Sequence, residues 1–491
     1  MIPLPRPDKE VALSDWSSSG EAWTHLPYLA RFPARRLPAS WEGLLTGRHC
    51  AVLESGRTGR YTIVVPDAHQ AWRFDASGGA TLHQDGGAQA LPRNRALEAL
   101  ASWVRAHRAP RLAGWPAFQG GLVVALGYEL ATELEPVRAA ADDLGLPRAV
   151  LLDAREALVH DAATGELTAV VLVDAAHADG AGHFAAAEKA RRLARVWDHA
   201  CAQPPCALAP VAEPVAPLGE SLDAPAFARA VTRAQALIAA GDTYQVNLST
   251  RLELPPPADA LSAYEAVRAT NPSPYMAFLR MPGATLACGS PELLVESSAG
   301  RLSSRPIAGT RPFTGTAVDD EAFSRELAAD SKERAEHLML VDLLRNDIGR
   351  VSAPGTVRVP EFMVIERYSH VMHLVSQVEG ARSPAAGPAE IIRALFPGGT
   401  VTGAPKVRTM QVIAELEPVA RGFYTGSVGW IGASGDLCLN IVIRTLTLVG
   451  GRCFVQAGAG IVADSVPERE HAESLRKALA LRVALGRVPA R

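Results

Sequence analysis

Apolar residues change their spacing along this chain, and the changes mark out its elements. Segments 60–65 (RYTIVV) and 71–74 (AWRF) are rich in β-branched and aromatic residues. Segments 155–160 and 167–173 flank a turn at 161–165, as the strands of a hairpin would. From 183 to 200 the composition turns helical. Phe227, Val231, Ala234, Leu237 and Ile238 then recur at the spacing of one helix face, with Gly241 placed to end the helix. Short strand-like runs follow at 244–248, 276–279, 293–296, 371–378, 429–431, 439–446 and 453–456. Among them lie long helical stretches near 320–348 and 467–486. The mixture predicts an α+β (or α/β) fold.

A stretch rich in proline and alanine, AQPPCALAPVAEPVAPLGE, interrupts this pattern without periodicity of its own. It divides the chain into an N-terminal region (1–200), a linker (201–220) and a region that carries most of the candidate chemistry (221–491). The 49 basic and 52 acidic side chains of the 491 residues nearly cancel, and no run of like charge suggests a nucleic-acid partner. The N-terminus lacks the apolar core of a signal peptide, and no uninterrupted apolar run reaches membrane-spanning length. Six cysteines (50, 201, 206, 288, 438 and 453) form no CxxC pair and read as thiols in a reducing cytoplasm. These features predict a cytoplasmic protein with no membrane or nucleic-acid partner.

Two carboxylate pairs stand out. Glu333 and Glu336 are three residues apart in SKERAEHLMLVDLLRND and so share a helix face. Glu470 and Glu473, with Lys477, repeat the spacing on the last helix, whose start carries a capping-box spacing from Ser465 to Glu468 with Pro467 in the first turn. Carboxylates on two helices suit Mg²⁺, which takes a few oxygens and keeps waters. By spacing alone, solvated helix faces are the favoured reading. Glycine-rich turns at 306–310 (PIAGT), 397–406 (PGGTVTGAPK) and 457–460 (AGAG) can aim backbone N–H groups at an oxyanion. Arg444 suits a carboxylate, and His373, two apolar residues beyond His370, suits acid–base work.

Ten ordered blocks carry these residues, from GDTYQVNLS (241–249) and GSPELLV (289–295) to NIVIRT (440–445) and QAGAGIVADSVPEREHAES (456–474). In them the chain resembles the chorismate-utilising enzymes. The resemblance extends to LESGRTGRYTIV (53–64) and FQGGLVVALGYEL (118–130), and so covers nearly the whole chain. It implies two packed antiparallel β-sheets flanked by helices, with N- and C-terminal parts interwoven, and the linker as a surface crossover.

The resemblance also assigns roles. It implies Mg²⁺ held directly by Glu336 and Glu473, with Glu333 and Glu470 holding its waters. The ring carboxylate of chorismate would meet the metal, the backbone of Gly458, Ala459 and Gly460, and Lys477. Tyr424 and Arg444 would grip the enolpyruvyl carboxylate, and Gly309 and Thr310 would also bind substrate. Thr400 and His373 would flank the ring, His373 as acid–base group, and Glu292 would help the C4 hydroxyl depart. Gln245 stands where water-using relatives carry a lysine base, which points to ammonia as nucleophile. Ala308 stands where many aminodeoxychorismate synthases carry the lysine of PIKGT, and PIAGT is the anthranilate synthase form. LESGRTGRY, GGTVTGAPK, the YTGSVGW turn and NIVIRT instead resemble the aminodeoxychorismate synthase component I branch, which is the preferred reading. No Gly-x-Cys-x-Gly elbow with a downstream His-x-Glu is present, so a separate glutamine amidotransferase subunit is the expected ammonia source, in a heterodimer. Ser55, Asn271, Pro274, Tyr275 and Met276 match a tryptophan pocket of the family. A non-catalytic tryptophan-binding paralogue is the remote alternative.

Overall fold

The computed structural model describes residues 4–488 apart from 18–22, 34, 57–58, 211–212, 314 and 368–370. Among the described residues the strands form two large sheets. In the first, the N-terminal strands His25–Phe32, Glu166–Asp174, Glu156–Asp161, Tyr61–Val65 and Cys50–Glu54 run side by side. Cys50–Glu54 then pairs antiparallel with Tyr275–Met281, and the sheet continues through Ala284–Ser290, Thr445–Val449 and Arg452–Ile461 to Gln245–Leu254. The second sheet joins the halves in the same way. Its C-terminal-half strands end on Ser427–Gly432, which pairs with Gly121–Leu126, and Ala149–Ala154 and Gln70–Phe74 follow. Both sheets are therefore built from both halves of the chain, as the resemblance implied.

Alternation explains how the sheets pack. In Gly121–Leu126, Val123 and Ala125 join a core with Val52, Val64 and Phe278 of the first sheet. Leu122, Val124 and Leu126 turn the other way, toward Leu97 and Leu100 of one helix and Val341 and Leu344 of another. Strand residues that are apolar on both sides are what a sheet covered on both faces requires. Segment 201–220 follows the last helix, with Ala209 N–H bonded to the Arg487 carbonyl and Val215 N–H to that of Arg482. The six cysteines are free thiols. No described helix is long and apolar enough to cross a membrane.

Three local expectations are corrected. The helical stretch near 320–348 is two helices, Ala317–Ala329 and Ser331–Gly349. Asp330 leaves the helical region (ψ 110°) and its carboxylate accepts from the N–H groups of Lys332 and Glu333, capping the second helix. The run 439–446 is not one strand. Leu437–Asn440 lies in the second sheet and Thr445–Val449 in the first, joined by a crossover ending at Arg444 with φ 49°. Finally, Ser465 does not cap the last helix, Pro467–Gly486. Val466 holds the cap position and the Ser465 hydroxyl accepts from the Val462 N–H instead.

One ion pair lies at the centre. Arg421 and Glu417 have side chains 1% and 2% exposed and meet at 2.6 Å. Arg421 also donates to the carbonyls of Asn247 and Val401 and to the Thr425 hydroxyl, and lies over the rings of Tyr128 and Tyr424. Glu417 accepts from the N–H and hydroxyl of Ser249. A buried pair with all its donors engaged is costly to break on one side, because the other charge is left stranded. Arg421→Met is expected to lower unfolding stability by about 3–5 kcal/mol, measured by urea denaturation, and Glu417→Gln in the same chain should restore part of the loss.

Candidate active site

The strand Gln245–Leu254 places Gln245, Asn247 and Ser249 on one face and Val246 and Leu248 on the other, where the last two join a hydrophobic core. Beside it, Asn247 faces Gly460 and Ser249 faces Gly458. The two glycines leave room that side chains would close. A Cβ at Gly460 would fall 2.4 Å from Gln245 Nε2, and one at Gly458 would fall 2.5 Å from the Leu248 carbonyl oxygen.

One glutamate of each pair is tied to this strand or its neighbour: Glu336 directly, and Glu473 through Lys477. Gln245 Nε2 donates to Glu336 Oε1 at 2.8 Å, which sets Glu336 beside Gly460. From the last helix, Lys477 Nζ donates to the Gly458 carbonyl at 3.0 Å and pairs with Glu473 at 2.8 Å. Burial, then the nearby Glu336 and Asp330 charges, push the Glu333 carboxyl upward. Arg311 Nη1 lies 3.9 Å from Glu333 and partly offsets this. Among the described residues no three His, Cys, Asp or Glu side chains already converge as a metal cluster. The donor set is nonetheless one that a hard dication fits: half-exposed carboxylates from two helices, with the Glu333 carboxyl pushed upward by burial and by the charge of Glu336.

A second group of residues surrounds Glu292. Its carboxyl is buried, and desolvation raises its pKa to about 7 despite the opposing pull of Thr400, Arg444 and Lys477. The Thr400 hydroxyl faces it as a buried atom without a fully formed hydrogen bond. Arg444 is lowered by burial, with Glu292 opposing the shift. His373, on Val371–Ala381, is lowered chiefly by burial and further by Arg444. Its Nδ1 is 3.2 Å from the Gly309 carbonyl, an acceptor, so the neutral ring carries its proton there. Glu292, Thr400, Arg444, His373 and Lys477 thus form one electrostatic unit, with Gly309 at its edge.

The other expected residues fall in different places. Ala308 is buried on Ile307–Pro312, opposite Leu374. Thr310 pairs with His373 through the backbone, and its side chain and His370 lie outside the described residues. Ala459 is buried. Glu470 sits in the first turn of the last helix, its N–H bonded to the Val466 carbonyl and its own carbonyl accepting from the Ser474 hydroxyl. Tyr424 is buried with its hydroxyl pKa well above the ordinary value, and Arg421 lies over its ring, 5.5 Å from the centroid. Ser55, Pro274 and Tyr275 line one cleft with Arg305 and Glu366. Asn271 and Met276 do not line it: Met276 is buried on a strand opposite Glu54 and Asn271 closes the preceding helix.

Spacing singled out neither His337 nor the pair Lys406–Asp347. His337 Nε2 meets Ser376 Oγ at 2.6 Å and ties the Glu333/Glu336 helix to the strand of His373. Lys406 Nζ lies 2.6 Å from Asp347 at the far end of that helix. Both lie within the blocks RAEHL, RND and GAPK, which was the only signal available for them.

The chain is similar to known proteins along most of its length. A family model described as chorismate binding enzyme matches residues 49–482. Aminodeoxychorismate synthase component 1 of Bacillus subtilis is 42% identical over 445 residues, covering 89% of this chain and 92% of that protein. Anthranilate synthase component 1 of Streptomyces coelicolor is 43% identical over 395 residues, covering 79% and 77%. Among solved structures, anthranilate synthase component I of Streptococcus pneumoniae superposes with a TM-score of 0.72 at 31% identity, covering 87% of this chain and 92% of that one. The menaquinone-specific isochorismate synthase of Escherichia coli, at 20% identity and a TM-score of 0.69, shares the fold. With a family match across most of its length and relatives above 40% identity, this chain belongs to the chorismate binding enzymes.

Proposed function

We propose that this chain is the chorismate-converting component of an aminodeoxychorismate synthase. In the reaction ammonia forms a C–N bond at C4 of chorismate, the C4–O bond breaks, and the oxygen leaves as water to give 4-amino-4-deoxychorismate. The observation that carries the reading is the end-to-end match to the Bacillus subtilis component, which spans 92% of that protein. Gln245 supports ammonia as nucleophile: its amide is committed to Glu336 and cannot serve as the base that would activate water. A separate subunit of the glutamine amidotransferase class would supply the ammonia.

Each residue does work that its surroundings allow. Glu292, with a pKa near neutrality, can hold a proton and deliver it to the departing C4 oxygen. Neutral His373, protonated at Nδ1, presents Nε2 as an acceptor on the ring side. Arg444 and Lys477 attract the substrate's two carboxylates, and the open backbone of Gly458–Gly460 lets one of them approach closely. Mg²⁺ would be held by Glu336 and Glu473 directly, and through water by Glu333 and Glu470. When bound it would neutralise carboxylate charge and act as a Lewis acid.

Anthranilate synthase is the second reading, and Ala308 favours it. Its methyl cannot form the covalent adduct that a lysine at this place can, so the amino group must reach C4 by a route without one. Incubation with chorismate, Mg²⁺ and ammonium, followed by chromatography, is expected to yield aminodeoxychorismate, which a lyase converts to p-aminobenzoate. Anthranilate as the product would overturn the proposal. The isolated chain should work with ammonium and not with glutamine alone.

Two further outcomes are expected. Glu336→Gln should abolish Mg²⁺-dependent turnover while thermal unfolding stays near that of the parent, and unchanged turnover would remove Glu336 from the metal site. Because the pKa of Glu292 is raised, its acid form dominates below about 7 and is lost above it. At constant free ammonia, kcat should therefore fall as pH rises through that value. Glu292→Gln should lower kcat by about 10²–10⁴-fold and remove this limb from the pH profile.

A further inference from the structure

The segment between two helices, Pro388–Leu395 and Lys406–Leu416, carries Thr400. It is packed closely on both sides. A Cβ at Gly399 would fall 2.2 Å from Leu343 Cδ2 on the Glu333/Glu336 helix, and one at Gly398 would fall 2.6 Å from Ile441 Cδ1. Ile441 N–H in turn donates to the carbonyl of Glu292. The segment thus lies wedged between the helix of the glutamate pair and the backbone of Glu292.

Its two ends are joined by one side chain. Lys406, first residue of the second helix, donates from Nζ to the carbonyl of Leu395, last residue of the first, at 3.1 Å. The same Nζ meets Asp347 at 2.6 Å, close to the C-terminal end of the glutamate helix. The side chains are 13% and 7% exposed. Burial raises the Asp347 carboxyl, and Lys406 draws it back. Buried pairs of this kind commonly add little stability over apolar replacements of similar size. What this one supplies is a defined spacing: three helix ends meet on a single ammonium group.

We propose that Lys406, held by Asp347, is a positioning residue that acts through Thr400. It closes the 396–405 loop and registers it against the glutamate helix, so that the Thr400 hydroxyl faces the Glu292 carboxyl. Lys406 and Asp347 themselves do not touch the reacting atoms. The proposal rests on the reading of Thr400 and Glu292 as parts of the active site.

A double-mutant cycle tests it. Lys406→Met with Asp347→Leu removes both charges and leaves neither stranded, and thermal unfolding reports whether the fold persists. This variant is expected to keep its KM for chorismate within about twofold and to lose about 10- to 100-fold in kcat, since small misplacements at a reacting centre cost that much. In a Thr400→Ala background the same replacement should change kcat by less than about twofold, because residues acting through one another are not additive. Lys406→Arg, which keeps the charge and the donors, should retain most of the activity. If the paired variant does not fold, Lys406→Gln is read in the same two backgrounds. A full loss that persists in the Thr400→Ala background, or no loss in the parent, overturns the clasp. If Thr400→Ala alone leaves kcat unchanged, the reading of Thr400 fails and the clasp falls with it. Failure of the clasp alone leaves the effect of Thr400→Ala intact, so the two are told apart.

Discussion

The site depends on a place where side chains are missing. Gly458 and Gly460 lie in a strand buried on both sides, a position where glycine weakens the strand and is kept only for close approach. Their bare backbone lets Gln245 lie across the strand to reach Glu336, and leaves the Gly458 carbonyl open to Lys477. Two helices from distant parts of the sequence, Ser331–Gly349 and Pro467–Gly486, are brought to one strand in this way. A methyl group at Gly460 would displace the Gln245 amide and with it the orientation of Glu336.

Electrostatics then separates the roles. Glu333 and Glu336 stand on a half-exposed face where like charge invites a cation. Glu292 is sealed, with weaker compensation from its neighbours, so that it stays near neutrality as an acid. The strand-to-strand crossover that ends at Arg444 carries the chain from one sheet to the other and brings Arg444 to Glu292. Arg444 belongs to neither sheet and lies beside the charge of Glu292.

Sequence reading recovered elements whose periodicity is clean, such as Ala224–Ala239, and of the strand Gln245–Leu254 only the first part. It failed where the deciding contact is long-range or local to a turn. The run 439–446 is rich in Leu, Ile and Val, as a buried strand would be, yet its crossover follows from the positive φ of Arg444 and the pairing partners on either side. The break at Asp330 had a signal, an acidic residue before a helix, hidden by helical composition on both sides. For the site, spacing alone favoured solvated helix faces for the glutamates, and the ordered motifs gave them meaning. Lys406 escaped because nothing local to GAPK reveals that Asp347, 59 residues earlier, lies beneath it. Tyr424 adds a contact that its motif did not signal: its ring lies against Arg421.

The interweaving of the two sheets has a consequence for how the molecule is made. Cys50–Glu54 waits for Tyr275–Met281, and Gly121–Leu126 waits for Ser427–Gly432. During synthesis, the N-terminal strands leave the ribosome with apolar edges whose partners have not yet been translated. Neither sheet can close until most of the chain has emerged, so folding is largely post-translational and dominated by contacts distant in sequence. Such topologies fold slowly and expose unpaired edges along the way. For this protein the period of greatest vulnerability to aggregation lies before the active site exists at all.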